Sequence, residues 1–486
     1  GAVTYQVFVD RYVPSAGLDA KREFYAAPRS LEAWETLPAH GHKVDGSIHW
    51  SHELAFWGGD LASLRTKVGY LSDLGVDVVY LNPIQLADTN HKYDAIDYRQ
   101  VSPEYGTKDD LKALAGDLHA RDMRLILDGV FNHMGENSIW FLDAQASPDS
   151  PYRDWFTFNP DVENGYVGWW GIAALPELNW ENPDVRREIV DAPDSVVRSW
   201  FDQDIDGWRL DVATELGLGN LAAITAASHE EKPGSLVIGE VWSYPSHWTG
   251  AMDAVMNFAL RQSLFALVEG RVSGPQFSAE VSDMIADAGI DPILRSWILL
   301  DNHDTPRLKT LYPDERDRDF LQSLQFTLPG APLVYYGVEA GMEGGEDPGS
   351  RGPMQWQGAV PSNPEFARLS ELTALRKASP ALRAGDFVPL ATQSAFAFLR
   401  MTDRSEDTVL VVANPGEAAV HESLLVRDAY LMNGDTYRDL RTGAEYRSQS
   451  SVLEVDVPAK TVLILKTERW PGNLERTGHT PYKRIP

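Results

Sequence analysis

The stretch DLASLRTKVGYLSDLGVDVVYLN, Asp60 to Asn82, decides how the chain is read. Leu61, Leu64, Val68, Leu71 and Leu74 recur at the spacing of an amphipathic helix, and Gly75 closes the run before the apolar VDVVYLN. This predicts a helix over 60–75 followed at once by a buried strand. The pairing repeats: Leu111, Leu114 and Leu118 precede MRLILDGVFNH, DVRREIVDAPDSVVRSWF precedes IDGWRLDV, and LAAITAASHEEK precedes SLVIGEVW. Helices alternating with near-continuous apolar strands indicate a parallel sheet covered on both faces.

The spacing of strand ends counts the strands. Arg209 to Glu240 is about 31 residues, one unit, and Glu240 to Asp301 is about 61, two units, with DAVMNF (Asp253–Phe258) as the strand between. VTYQVFVD, VDVVYLN, LILDGV and PLVYYG bring the total to eight. The expected fold class is therefore α/β, a (β/α)8 TIM barrel with its active site at the C-terminal strand ends. Asp128 to Arg209, about 81 residues, leaves roughly 50 beyond one unit, an insert at Met134–Asn179. After Leu382 the alternating FAFLRM, TVLVVAN and VLEVDV predict an antiparallel β-sandwich. The expected domains are the barrel (1–133 and 180–384), the insert (134–179) and the sandwich (385–486), whose last stretch ERWPGNLERTGHTPYKRIP reads as an extended tail.

Composition narrows the chemistry. Lys+Arg of 43 against Asp+Glu of 71 gives a net charge of -28, which argues against nucleic acid or anionic membrane as partner. No run of about 18 apolar residues is present to span a bilayer. With no cysteine there is no disulfide, thiolate metal site or thiol nucleophile. The first residues already alternate like a strand, so any targeting peptide is absent or removed; cytoplasmic residence is expected, with secretion the alternative.

Charged residues gather where the strands end: Asp128, Asn132 and His133, then Arg209 and Asp211, then Glu240, then His303 and Asp304. A closed barrel brings all of these to one mouth. Three carboxylates and two histidines without a basic cluster suit acid–base chemistry on a neutral polyol. Two carboxylates about 5 to 5.5 Å apart would make a retaining glycosidase. Arg209, on the same side of its strand as Asp211, is expected to hold that carboxylate ionised as the nucleophile. Glu240, between Gly239 and the apolar Val241 and Trp242, is expected to stay protonated as the general acid.

DGVFNH (128–133), GWRLDVATE (207–215), GEVW (239–242) and LLDNHDTPR (299–307) resemble, in order and spacing, the four sequence regions of the α-amylase family, glycoside hydrolase family 13. FWGGDL, LGVDVVYLNPI, HKYDAIDYRQVSPEYGT, LPELNWENPDVR and the block from YYGVEAGMEGG to DPGSRGPMQW support the resemblance, which runs from about residue 4 to about 380. It implies Asp211 as nucleophile, Glu240 as acid/base and Asp304 as the third carboxylate. It implies sugar contacts from Tyr93, His133 and His303, with Arg209 supporting Asp211, Asp128 supporting the site by hydrogen bonding, and the insert and sandwich as domains B and C. Trp169, Trp170 and Trp242 are candidates for stacking on sugar, or else pack insert against barrel.

Thr214-Glu215 stands where many members have Lys-His. With GEVW, DAVMNF and HKYD, this is similar to the neopullulanase, cyclomaltodextrinase and maltogenic amylase group. Glu215 is expected to line the acceptor side and touch a sugar hydroxyl, the alternative being a helix cap. That group usually carries an N-terminal β-domain used in dimers. This chain, starting at its first barrel strand, is expected to lack it, and a homodimer through another surface stays open. No cofactor is expected to be required. Calcium is left open and its ligands unknown: Asn132 matches a ligand position, but the histidine partner is replaced and VPSAGLDAKREF lacks the Asp/Asn spacing of a calcium loop. Asp60 would either contribute to such a site or cap the helix at Leu61.

The expected function is retaining hydrolysis of α-1,4-glucosidic bonds in malto-oligosaccharides, cyclic maltosaccharides or pullulan, the oligosaccharide being the partner. The alternatives are an exo-acting α-glucosidase or oligo-1,6-glucosidase, an α-glucan transglycosylase, and a non-catalytic carbohydrate-binding scaffold.

Overall fold

A computed structural model describes residues 1–428, 431 and 433–468; the tail stretch from 469 onward lies outside the described residues. The eight barrel strands are β1 (Thr4–Val7), β2 (Val78–Leu81), β3 (Arg124–Gly129), β4 (Gly207–Leu210), β5 (Leu236–Val241), β6 (Ala254–Asn257), β7 (Trp297–Leu299) and β8 (Ala331–Tyr335). Each pairs in parallel with its neighbours in sequence, and β1 closes the ring by pairing with both β8 (Thr4↔Leu333) and β2 (Thr4↔Val78). Period-2 alternation sorts the side chains. Val78, Tyr80, Ile126, Ile238, Met256 and Leu333 fill the barrel, while Val79, Leu81, Leu125 and Leu127 belong to the core shared with the surrounding helices. At the start of β4, Gly207 has φ +146, and a Cβ there would fall on the carbonyl of Leu236, so only glycine lets β4 lie against β5.

Two expected helices are broken. The run 60–75 folds as Leu61–Arg65 and Val68–Asp73, because the Thr66 hydroxyl donates to Ser63 O at 2.6 Å and its N–H bonds the same carbonyl, a tighter turn that ends the first helix. The run 184–201 breaks at Ala192-Pro193 into Pro183–Arg186, a wide turn Arg187–Asp191 and Val196–Ser199.

Within 134–179 only the helix Ile139–Ala146 and short turns form, tied by isolated bridges such as His133↔Glu177 and Gly168↔Pro176. The C-terminal strands are β9 (Asp386–Leu390), β10 (Phe396–Met401), β11 (Val409–Asn414), β12 (Val420–Leu425), β13 (Thr436–Asp439), β14 (Glu445–Arg447), β15 (Val452–Val457) and β16 (Thr461–Glu468). They make one antiparallel sheet in the order β9-β10-β11-β16-β13-β14 and a hairpin-like pair β12-β15. Every residue of β10 and β11 is buried, because one face packs on the β12-β15 pair and the other on the barrel, where Phe396 meets Phe277 at 4.9 Å. Among the described residues no helix is long and apolar enough to cross a membrane.

Candidate active site

The centre of the mouth is Arg209, fully buried at the end of β4. Its Nη1 donates to Asp128 Oδ1 (2.9 Å), Asp128 Oδ2 (3.0 Å) and Asp211 Oδ1 (2.9 Å), while Nη2 lies 3.0 Å from Glu240 Oε2. One guanidinium thus faces three carboxylates from three adjacent strands. The register makes this unavoidable: Asp128 on β3 pairs with Arg209, and Asp211 follows two residues later on the same side.

This arrangement adds two features to the surroundings of these carboxylates. Burial pushes the Asp211 carboxyl well above the usual range, and the charges of Glu240, Asp128 and Asp304 add to the rise; Arg209 opposes it. Burial likewise raises Asp128. In the sequence Arg209 stands beside Asp211 alone, but in the fold it is shared with Asp128 and Glu240. The surroundings of Glu240 are also less apolar than its neighbours suggest. Its Oε2 accepts the Val212 N–H at 3.1 Å and its Oε1 accepts the Trp242 indole N–H at 3.0 Å. Val212 sits in the left-handed region, φ +46 and ψ +40, which a β-branched residue rarely adopts. That turn aims its N–H back at Glu240, so backbone strain of about 1–3 kcal/mol is spent on fixing this carboxylate.

A second layer joins Tyr93 and His303 to three residues that read as ordinary core. Tyr80 O–H donates to Asp128 Oδ2 at 2.6 Å, and Tyr93 O–H donates to the same oxygen at 3.0 Å. Gln6 Nε2 donates to His303 Nδ1 (2.9 Å), which leaves the proton on Nε2, 2.6 Å from the Tyr93 oxygen and 3.1 Å from Asp304 Oδ2. Burial, then Arg351 and Arg209, hold His303 well below its ordinary pKa, so it is a neutral donor. Asn82 Nδ2 completes the set with a bond to the Tyr93 oxygen at 3.0 Å.

Asp304 faces the cleft from the loop after β7, its side chain 31% exposed. Arg351 Nη2 meets its Oδ1 at 3.0 Å and Arg351 Nε bonds His303 O at 2.9 Å. Enclosure in the cleft raises the Asp304 carboxyl and Arg351 opposes it.

Residues 6–384 match the model of the alpha amylase catalytic domain. The chain belongs to the alpha-amylase family. It is 32% identical to the cyclomaltodextrinase of Geobacillus thermopakistaniensis (strain MAS1) over 442 residues, 87% of this chain and 74% of that one. It is 31% identical to neopullulanase 2 of Thermoactinomyces vulgaris over 483 residues, 96% of this chain and 77% of that one. Among solved structures, the ligand-free cyclic alpha-maltosyl-(1→6)-maltose hydrolase from Arthrobacter globiformis superposes with a TM-score of 0.80 at 28% identity, covering 96% of this chain and 99% of that chain. This alpha-amylase family member is thus an α-glucan hydrolase, and the remaining polar and aromatic residues are read in that light.

His133 is buried, and burial pushes it down to about 3, so its imidazole is neutral. Its Nε2 has no hydrogen-bond partner among the described residues, and the same holds for the indole N–H of Trp169. The two rings stack at 5.5 Å, and Trp170 stacks on Trp169 at 4.9 Å while remaining 80% exposed. Packing between insert and barrel therefore does not explain Trp170. Trp242 rests one face on Phe258 at 3.7 Å and is 56% exposed.

Glu215 is exposed in the short helix Ala213–Leu216 and caps nothing, since neither that helix nor Leu218–Glu231 has a side-chain cap. It lies near Glu177 of the insert, whose carboxyl is raised by burial and by the charge of Glu215, while a bond from Asn132 opposes the rise. Of the two readings of Asp60, the helix cap is formed. Asp60 caps Leu61–Arg65 through the Ser63 N–H (2.7 Å) and takes the Lys21 ammonium at 2.7 Å, so a lysine already supplies the positive charge.

Arg351, Tyr80, Gln6 and Asn82 were not singled out from the sequence. Arg351 had a signal, standing in the DPGSRGPMQW block that supports the family resemblance; the other three sit in strands or at their ends and read as core.

Proposed function

We propose that this chain hydrolyses α-1,4-glucosidic bonds in malto-oligosaccharides, cyclic maltosaccharides or pullulan with retention at the anomeric carbon. The observation that carries the reading is the pair Asp211 and Glu240 on one guanidinium, with Asp304 held by Arg351 across the cleft. Glu240 gives its proton to the glycosidic oxygen as that bond breaks, and Asp211 bonds to the anomeric carbon. Glu240 then takes a proton from water, whose oxygen displaces Asp211. His133 Nε2 and Trp169 Nε1, unpartnered among the described residues, are the polar atoms for sugar hydroxyls, His303 would offer its Nε2 proton by exchanging Tyr93 for a hydroxyl, and Glu215 and Trp242 border the leaving-group side. The names of the relatives, cyclomaltodextrinase and neopullulanase, support rings and pullulan as substrates. A product time course on β-cyclodextrin, pullulan, isomaltose and maltotetraose, with Glu240→Gln as control, tests this. Ring opening or panose release supports it, and glucose from isomaltose with rings untouched would replace it by an exo-acting α-glucosidase.

Two further results are expected. Asp211 must be ionised to attack, and its carboxyl is raised, so activity falls as pH drops through a limb that lies above the roughly 3.9 of an ordinary aspartate. A kcat/KM profile with its acid limb below pH 4 would contradict this. The ladder His133, Trp169, Trp170 leads outward from the site, and Trp170 holds a positive φ of 50, a strained conformation of the kind that collects at ligand sites. Trp170→Ala is expected to raise KM roughly 3- to 10-fold for long chains, the equivalent of one lost ring stack of about 0.5–1.5 kcal/mol. Maltotriose kinetics and kcat should be unchanged, and an equal effect on both substrates would sink the idea.

A further inference from the structure

His49, Asp88 and Asp94 cluster apart from the catalytic carboxylates, and His49 and Asp88 line a solvent-open cavity of about 420 Å³ together with Arg29, Ser47 and Asn137. One imidazole nitrogen and one oxygen from each carboxylate lie within 4.8 Å of one another, with His49 Nε2 4.0 Å from Asp88 Oδ2. His49 is only 5% exposed, and its Nε2 is buried without a hydrogen-bond partner among the described residues. A buried ring nitrogen facing two carboxylates across a gap too long for a hydrogen bond, beside an open cavity, has the form of a ligand set with its centre unfilled.

We propose that His49, Asp88 and Asp94 bind one divalent first-row transition metal ion, of the zinc and cobalt kind, per chain. Two carboxylates balance a 2+ charge, and an imidazole nitrogen suits zinc, cobalt or nickel, whereas calcium takes oxygen ligands. A small inward turn of the three side chains brings the donors to the roughly 2.0–2.2 Å of zinc–nitrogen and zinc–oxygen bonds. The carboxylates are already oriented. Asp94 Oδ2 accepts the N–H groups of Asp88 (3.1 Å) and Thr89 (3.2 Å), Asp94 Oδ1 accepts the Thr89 hydroxyl, and Asn137 Nδ2 donates to Asp88 Oδ2 at 2.6 Å. Asp94 Oδ2 is filled by its two N–H donors, while Asp94 Oδ1 and Asp88 Oδ2 each accept one bond and keep a lone pair for the ion, and outer partners of this type fix ligand geometry. Arg29 lies 3.9 Å from Asp88 Oδ1 and tempers the affinity, but its guanidinium is anchored on the carbonyls of Ala87 (2.7 Å) and Asp88 (3.0 Å). The cavity provides the entry path and room for water to complete the coordination. The ion joins the loop of His49 to the segment 88–94, which carries Tyr93 into the catalytic site.

The test is equilibrium dialysis of the chelator-treated full chain against cobalt(II) and, separately, calcium. His49→Gln and Asp88→Asn are compared with wild type. His421→Ala controls for an exposed set, since His421 lies 2.8 Å from Asp456 and 3.0 Å from Glu454. One saturable equivalent of cobalt is expected, weakened at least tenfold in both site variants, unchanged in His421→Ala, and not displaced by calcium. Saturating cobalt should raise the melting temperature of wild type by about 2–3 °C and leave that of His49→Gln unmoved. No saturable equivalent, or an equivalent lost in His421→Ala but kept in His49→Gln, would overturn the site.

Discussion

Asp211→Asn is expected to lower kcat by on the order of 10⁴ to 10⁶ while leaving KM for maltotetraose nearly unchanged, because the amide keeps the shape of the site but cannot bond to the anomeric carbon. Its effect on stability should have the opposite sign. Asp211 has a folded-state carboxyl raised above its unfolded value, so at neutral pH the ionised form is tolerated less well in the fold than in the unfolded chain. Removing that charge leaves Arg209 with Asp128 and Glu240 as partners. The melting temperature should therefore hold or rise, and the gain should shrink as pH falls and wild-type Asp211 takes up its proton. An inactive variant that melts well below wild type would show that the aspartate supports the fold and would leave its chemical role unsupported.

Arg209→Met is expected to be the most destabilising single change at the mouth. Asp128, Asp211 and Glu240 would lose the guanidinium that faces all three, and stranding buried charges of this kind costs about 3–5 kcal/mol. Activity falls with it, since the nucleophile loses the group that orients it. Arg209→Lys should recover only part of the loss, because one ammonium cannot offer two nitrogens to carboxylates on three strands. The deficit of Arg209→Met should narrow as pH falls from neutral into the acid range, because the carboxyls of Asp128 and Asp211 are raised and take up protons earlier than ordinary aspartates. Thermal unfolding across that range checks it; a pH-independent deficit would mean lost packing around the arginine stem.

The barrel was legible because its strands are buried on both faces and leave apolar runs at a regular interval. DAVMNF could be placed by the gap alone, and it folds as Ala254–Asn257. The helix breaks at Thr66 and Pro193 were visible as residues but not as consequences, since a single threonine hydroxyl or proline decides them locally. Asp128, Arg209, Asp211, Glu240 and Asp304 stood out because charge at the end of an apolar strand is costly and needs a use.

Their environments were not legible. Whether Arg209 serves one carboxylate or three depends on register between β3, β4 and β5, and the support of Glu240 depends on a left-handed Val212 that no propensity anticipates. Tyr80 reads as one more apolar strand residue; its hydroxyl finds Asp128 only because β2 and β3 are neighbours in the closed barrel. For Trp170 the sequence left stacking on sugar and packing of insert against barrel side by side, and its 80% exposure removes the second.

The most direct test of the central claim is mass spectrometry of the peptide containing Asp211 after incubation of Glu240→Gln with 5-fluoro-α-glucosyl fluoride, a substrate that forms a glycosyl-enzyme quickly and releases it slowly. The account predicts one added fluoroglucosyl unit per chain, located on Asp211 and absent from Asp211→Asn. Turnover of the fluoride with no adduct on that peptide, or an adduct on another carboxylate, would contradict it.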